Sequence, residues 1–130
     1  SKNGVPIRNY YSTSLPDDIR KPFARQGEMI DYFSGLFGEY PFEVYGAMVI
    51  DTELGSALEN QTMSIFGTDM VDTEDVEYSE LTVAHELAHQ WFGDSVSVAE
   101  SVSAQVSNAA STAAVKYFIG ISGAPSSWAV

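Results

Sequence analysis

The chain has 130 residues, 6 Lys and Arg against 18 Asp and Glu, a net charge of −12, 45% hydrophobic residues and no cysteine. Its length and apolar fraction suit a folded domain and exclude wholesale disorder, while the lack of cysteine excludes a disulfide framework or a thiolate metal site. The charge argues against nucleic acid or an anionic membrane as partner, since both need clustered Lys and Arg, and no apolar run approaches the roughly 18 residues of a membrane span.

The opening Ser1-Lys2-Asn3-Gly4 has neither an initiator Met nor a signal-peptide pattern. It reads as an excised or processed piece, so compartment and oligomeric state stay open. Val5 to Tyr11 alternates well enough for a strand, and Pro16-Asp17-Asp18 marks a turn. Pro22 to Phe37 predicts a helix, with Met29, Ile30, Phe33, Leu36 and Phe37 at helical spacing and Gly38 as its stop. Tyr45 to Asp51 predicts a buried strand. A loop around Gly55 to Asn60 leads to a second short strand, Thr62 to Phe66. An acidic loop, Asp69 to Glu80, reads as solvated surface that could also concentrate cationic peptide termini. Ser79 is the expected cap of a helix running to Phe92, with Gly93 past its end.

Charge and composition both shift along the chain. Five of the six basic residues lie in the first 25 positions, and none lies between Gln26 and Glu100. From Val98 onward, 20 of 33 residues are Ala, Ser or Val. The sequence therefore divides into residues 1–98 and a tail, 99–130, whose Val102, Val106, Ala109 and Ala113 have helical spacing.

The chemistry sits on the capped helix. His85-Glu86-Leu87-Ala88-His89 sets two histidines at i and i+4, one turn apart on one face. That separation lets two imidazoles ligate one zinc ion, with Glu86 placed to take a proton from a water at the metal. Glu86 is then a general base rather than a ligand. A buried helix can carry two histidines as satisfied core residues. These are, however, the chain's only histidines, and chance gives this pattern about once in a thousand such sequences. Val83, Leu87 and Trp91 form an apolar stripe opposite the histidines, so the helix is buried and its imidazoles need a partner.

His85 to Asp94 (His-Glu-Leu-Ala-His-Gln-Trp-Phe-Gly-Asp) resembles the active-site helix of the aminopeptidase N family, gluzincin zinc metallopeptidases with a thermolysin-like catalytic domain. Ser56-Ala57-Leu58-Glu59-Asn60 resembles that family's Gly-Ala-Met-Glu-Asn exopeptidase motif. Asn3 to Ile7 and Phe37 to Phe42 resemble further family segments, so the likeness covers Asn3 to roughly Val98. It implies zinc held by His85 and His89, Glu86 as catalytic base, and substrate binding by Glu59, Ala57 and Asn60. Glu59 would pair with the free α-ammonium of a peptide and restrict cleavage to its first residue. Gly46-Ala47-Met48 only mimics the exopeptidase motif, because Val49 follows where Glu is required; that stretch is expected to be a core strand.

The resemblance also implies a third ligand, a Glu, where this chain has Asn108. Asp94 is expected to be structural, and Glu100 would need an unusual path to reach the metal. The family's oxyanion-stabilising Tyr would fall beyond Val130, and Ser95 stands where a metzincin needs a third His. The expected fold is α+β, a thermolysin-like half-domain with a small mixed sheet beside helices. The expected function is a zinc aminopeptidase acting on peptides with a free N-terminus. The alternatives are a non-catalytic peptide-binding or structural fragment lacking the third ligand, and a thermolysin-type endopeptidase.

Overall fold

The computed structural model describes residues 1–94 and the helix at 103–122. The boundary expected at residues 98–99, Glu100 and Val102 lie outside the described residues. Three short strands, β1 (Tyr10–Tyr11), β2 (Ala47–Val49) and β3 (Ser64–Phe66), form a sheet in the order β1-β2-β3, with Tyr10 opposite Met48 and Met48 opposite Ile65. Helices α1 (Gln26–Phe37), α2 (Val76–Ala88) and α3 (Ser103–Ser122) complete the architecture.

The sheet departs from the mixed one expected, since its strands are all parallel. Between β1 and β2 the chain crosses over through α1, the long connection that parallel pairing requires. Between β2 and β3 it must return past the sheet without a helix. On that return Leu58 and Ile65 exchange both backbone hydrogen bonds (2.9 and 2.8 Å), the antiparallel bridge beside the strands. The strands are shorter than the sequence predicts, although the first extends through an isolated bridge from Ile7 to Tyr45. At Gly46 the backbone runs so close to its neighbour that a Cβ would lie 2.0 Å from the Arg8 carbonyl oxygen. The glycine of the Gly-Ala-Met stretch thus serves strand packing.

The helix expected from Pro22 to Phe37 is two pieces. Asp17–Phe23 forms a 3-10 helix that includes Pro22, and α1 starts only at Gln26. Proline is tolerated in a first helical turn, and the break falls after it, at Arg25, whose backbone (φ −101°, ψ 10°) leaves the helical region. Met29, Ile30 and Phe33 bury one face of α1. Beyond Gly38, Trp91 Nε1–H donates to the carbonyls of Gly38 (3.0 Å) and Glu39 (3.3 Å), tying the exit of α1 to the end of α2.

α2 begins three residues earlier than its expected cap. Asp75 is the N-cap, its carboxylate accepting from Tyr78 N–H (3.0 Å). Ser79 is instead buried, its hydroxyl donating to the Asp72 carbonyl (2.9 Å) and accepting from the Asp72 N–H (2.6 Å). Val83, Leu87 and Trp91 are buried as the stripe predicts, and α2 itself ends at Ala88 with His89 as C-cap. Glu80, also buried, meets Arg25 at 3.3 Å, and Arg25 lies over the Tyr117 ring of α3 (5.5 Å). α3 packs on α2 and buries Ala110, Ala113 and Ala114, while Tyr117 meets Tyr32 and Phe33 of α1; of the expected stripe Ala113 is buried, and Val106 and Ala109 are half-buried. None of the described helices is long and apolar enough to cross a membrane.

Just past α2, the fully buried amide of Gln90 uses its whole hydrogen-bonding capacity. Oε1 accepts from Thr62 N–H (2.7 Å) and Tyr40 O–H (3.2 Å), while Nε2 donates to Asp94 (2.6 Å) and to the Asn60 carbonyl (3.3 Å). Thr62 has φ +64°, an uncommon conformation for a β-branched residue that survives only where its surroundings impose it. Gln90→Ala leaves buried donors and acceptors unpaired, so urea denaturation should show a loss of about 1–3 kcal/mol, with faster hydrogen exchange at the Thr62 amide.

The Asp72 carboxylate is held below its ordinary range by hydrogen bonds from the Asp75 and Glu74 amides. A depressed carboxylate stabilises the native state above its unfolded value, 3.8, and that support is lost as pH falls through the lower native value. Amide exchange at Glu74 and Asp75, corrected for intrinsic rate, should accelerate in that acid window in the wild type and be fast already at neutral pH in Asp72→Ala.

Candidate metal and peptide site

His85 and His89 lie one turn apart at the end of α2, with ring centroids 4.9 Å apart and their Nε2 atoms separated by 3.2 Å. Zinc–nitrogen bonds of about 2.0–2.1 Å in a tetrahedral shell set neighbouring nitrogens about 3.3 Å apart, so this pair is spaced as two ligands of one ion. The other ring nitrogens are engaged. His89 Nδ1 lies 3.1 Å from the Phe92 carbonyl oxygen, which only accepts; Nδ1 therefore carries the proton and neutral His89 offers a bare Nε2. His85 Nδ1 lies 3.1 Å from the Ser111 hydroxyl of α3, which can donate or accept. Burial and the neighbouring His89 lower the pKa of His85, with Glu59 acting in the opposite sense. Burial thus disfavours the charged form of His85, and the Phe92 carbonyl sets the tautomer of His89.

Glu86 is buried, and burial pushes its pKa up to about 7, with Glu59 and Asp94 adding to the rise. Asp94 is raised to about 6 by burial and Glu59, against the pull of His89 and the Gln90 hydrogen bond. Buried Tyr45, bonded to Ser64 (3.0 Å), is also raised, first by burial and then by Glu86. Carboxylates poised near neutrality beside two imidazoles are suited to exchange protons.

Glu59 is exposed on the segment that pairs with β3 through Leu58, and it acts electrostatically on His85, Glu86 and Asp94 together. Ala57 is half-buried against the core, and Asn60 is engaged through its carbonyl by Gln90. The two sequence segments singled out for chemistry therefore meet. Asn108 is exposed on α3, and no group of three or more His, Cys, Asp or Glu able to hold a metal gathers among the described residues. His85 and His89 thus supply two imidazole nitrogens at ligand spacing, with no third His, Cys, Asp or Glu gathered beside them among the described residues.

Sequence reasoning missed Gln90 and Ser111. Gln90 was visible only as an extension of the histidine motif, without a role. Ser111 stands among so many Ser and Ala residues that nothing marked it.

The family model "Peptidase family M1 domain" matches residues 23–103. The chain is 31% identical over 105 residues to aminopeptidase N of Streptomyces lividans, covering 72% of this chain and 12% of that protein. It is 30% identical over 103 residues to aminopeptidase 2 of Candida albicans, covering 72% and 11%. The fold matches the crystal structure of an M1 zinc metallopeptidase from Deinococcus radiodurans with a TM-score of 0.73 and 30% identity, over 93% of this chain and 26% of that one. The chain thus spans about an eighth of the two aminopeptidases and a quarter of the solved structure. The match over residues 23–103 takes in both α2 and the loop that presents Glu59, and the chain belongs to peptidase family M1.

Proposed function

We propose that the chain is part of the thermolysin-like catalytic domain of a zinc-dependent aminopeptidase that removes N-terminal residues from peptides. The observation that carries this reading is the convergence of the His85 and His89 Nε2 atoms at 3.2 Å beside buried Glu86. His85 and His89 would hold the zinc, which, when bound, polarises a peptide carbonyl and lowers the pKa of a water. Glu86 accepts a proton from the attacking water at its carboxylate and passes it to the departing amine nitrogen, work suited to a group titrating near neutrality. Glu59 pairs with the substrate's α-ammonium. Ala57 and the backbone around Leu58 form the short edge along which a peptide can lie, with Asn60 fixing its far end.

One observation favours a second reading. Asn108 stands where the resemblance calls for a carboxylate, and it is exposed. A non-catalytic, peptide-binding scaffold would retain the geometry with weak zinc binding or none.

The readings separate in a single set of measurements. The aminopeptidase reading expects stoichiometric zinc after incubation and dialysis, and hydrolysis of aminoacyl anilides that falls about 10²–10⁴-fold in Glu86→Gln. Chain that stays metal-free supports the scaffold. Glu59→Ala should raise KM about 10–100-fold through loss of a charge-assisted hydrogen bond, with blocked peptides uncleaved. Cleavage of blocked peptides, indifferent to Glu59→Ala, indicates an endopeptidase instead.

A further inference from the structure

We infer that Ser111 is a positioning residue for the metal, its hydroxyl accepting from His85 Nδ1–H so that the His85 Nε2 lone pair points where that of His89 already points. This inference rests on the zinc reading above and adds to it a contribution from α3.

Two hydrogen-bonding patterns fit the observed distances. In one, the Ser111 hydroxyl donates to His85 Nδ1 (3.1 Å), and His85 Nε2–H donates to His89 Nε2 (3.2 Å). That pattern satisfies every atom and closes the site to a cation. In the other, the hydroxyl turns about its Cβ–Oγ bond and accepts from Nδ1–H, leaving two lone pairs aimed at one point. Uncompensated, facing lone pairs repel, so a cation must sit between them for this pattern to persist. His89 takes no part in the choice, because the Phe92 carbonyl fixes its tautomer. Its counterpart on His85 is a group that serves either tautomer: His85 gives up its Nε2 proton to solvent and takes one at Nδ1 while the Ser111 hydroxyl turns to accept it, with no heavy atom displaced.

The contact depends on how closely α3 approaches α2. Ala110, Ala113 and Ala114 are buried at that contact, and side chains this small let the helices close until a serine, with one carbon of reach, meets His85. Ser111 itself is exposed, so its replacement disturbs no core. Alanine also has the better helix propensity. Metal-free Ser111→Ala should therefore unfold no earlier than the wild type, and a fall in zinc affinity cannot be charged to lost folding.

The test is a zinc titration of the chain against a chromophoric chelator, for wild type, Ser111→Ala and Ser111→Thr, with thermal melts of each metal-free form. Loss of a partner that orients a ligating histidine typically weakens metal binding about 10–100-fold, and that is the drop expected for Ser111→Ala. Ser111→Thr keeps the hydroxyl and should stay near the wild type. In the zinc-loaded wild type, long-range nitrogen–proton NMR should report His85 protonated at Nδ1. Equal zinc affinity in wild type and Ser111→Ala overturns the inference and leaves the zinc reading intact. Wild type that takes up no zinc overturns both.

Discussion

Glu59 raises the proton affinity of Glu86 and Asp94, Asp94 raises that of Glu86, and no lysine or arginine occurs anywhere between Gln26 and Asp94 to offset them. Burial makes the arrangement costlier, because it removes the water that would otherwise stabilise the charges. A protein selected for stability alone would put a salt bridge or an apolar side chain here. The same chain does so a short distance away, where buried Glu80 meets Arg25. At the histidine pair the negative potential is left for something else to answer. On the function proposed above, a divalent metal and the ammonium group of a peptide are the two kinds of cation that would answer it. Native structures commonly carry such locally unfavourable chemistry where function requires it.

The rest of the fold holds that face still. The first turn of α2 is fixed by Asp75 and by the Asp72–Ser79 pair of hydrogen bonds, and its far end by Gln90 and Trp91. α1 contributes through Trp91, whose indole caps the turn beyond Phe37, and α3 through Tyr117 and the alanines. A helix secured at both ends presents its imidazoles with little freedom to drift, as the proposed metal ligation would require.

Much of this was legible in the sequence because it rests on local periodicity. The Val83-Leu87-Trp91 stripe, the apolar face of α1 and the i, i+4 histidines follow directly from a 3.6-residue turn. Where local rules compete, the reading slipped. Ser79 and Asp75 are both good caps, and burial of the serine hydroxyl against Asp72 decided for the aspartate. Pro22 is a good first residue for a helix, yet the chain forms a 3-10 helix there and α1 begins only at Gln26. The parallel sheet and the Gln90 contacts join residues far apart in the chain. Ser111 reaches His85 across 26 positions, and no short-range signal could report it.

Gln90 also constrains how this region can change. Its amide gives two hydrogen bonds and receives two, at the end of a three-carbon reach. Ionised glutamate offers no donor, asparagine is one carbon too short, and histidine has only two nitrogens to set against four partners. No single substitution reproduces the set. Any replacement at position 90 therefore leaves polar groups of the Asn60–Thr62 segment without their partner in the interior. The segment bearing Glu59 and the helix bearing His85 and His89 are thereby mechanically joined, although 30 residues of sequence separate Asn60 from the glutamine that links them.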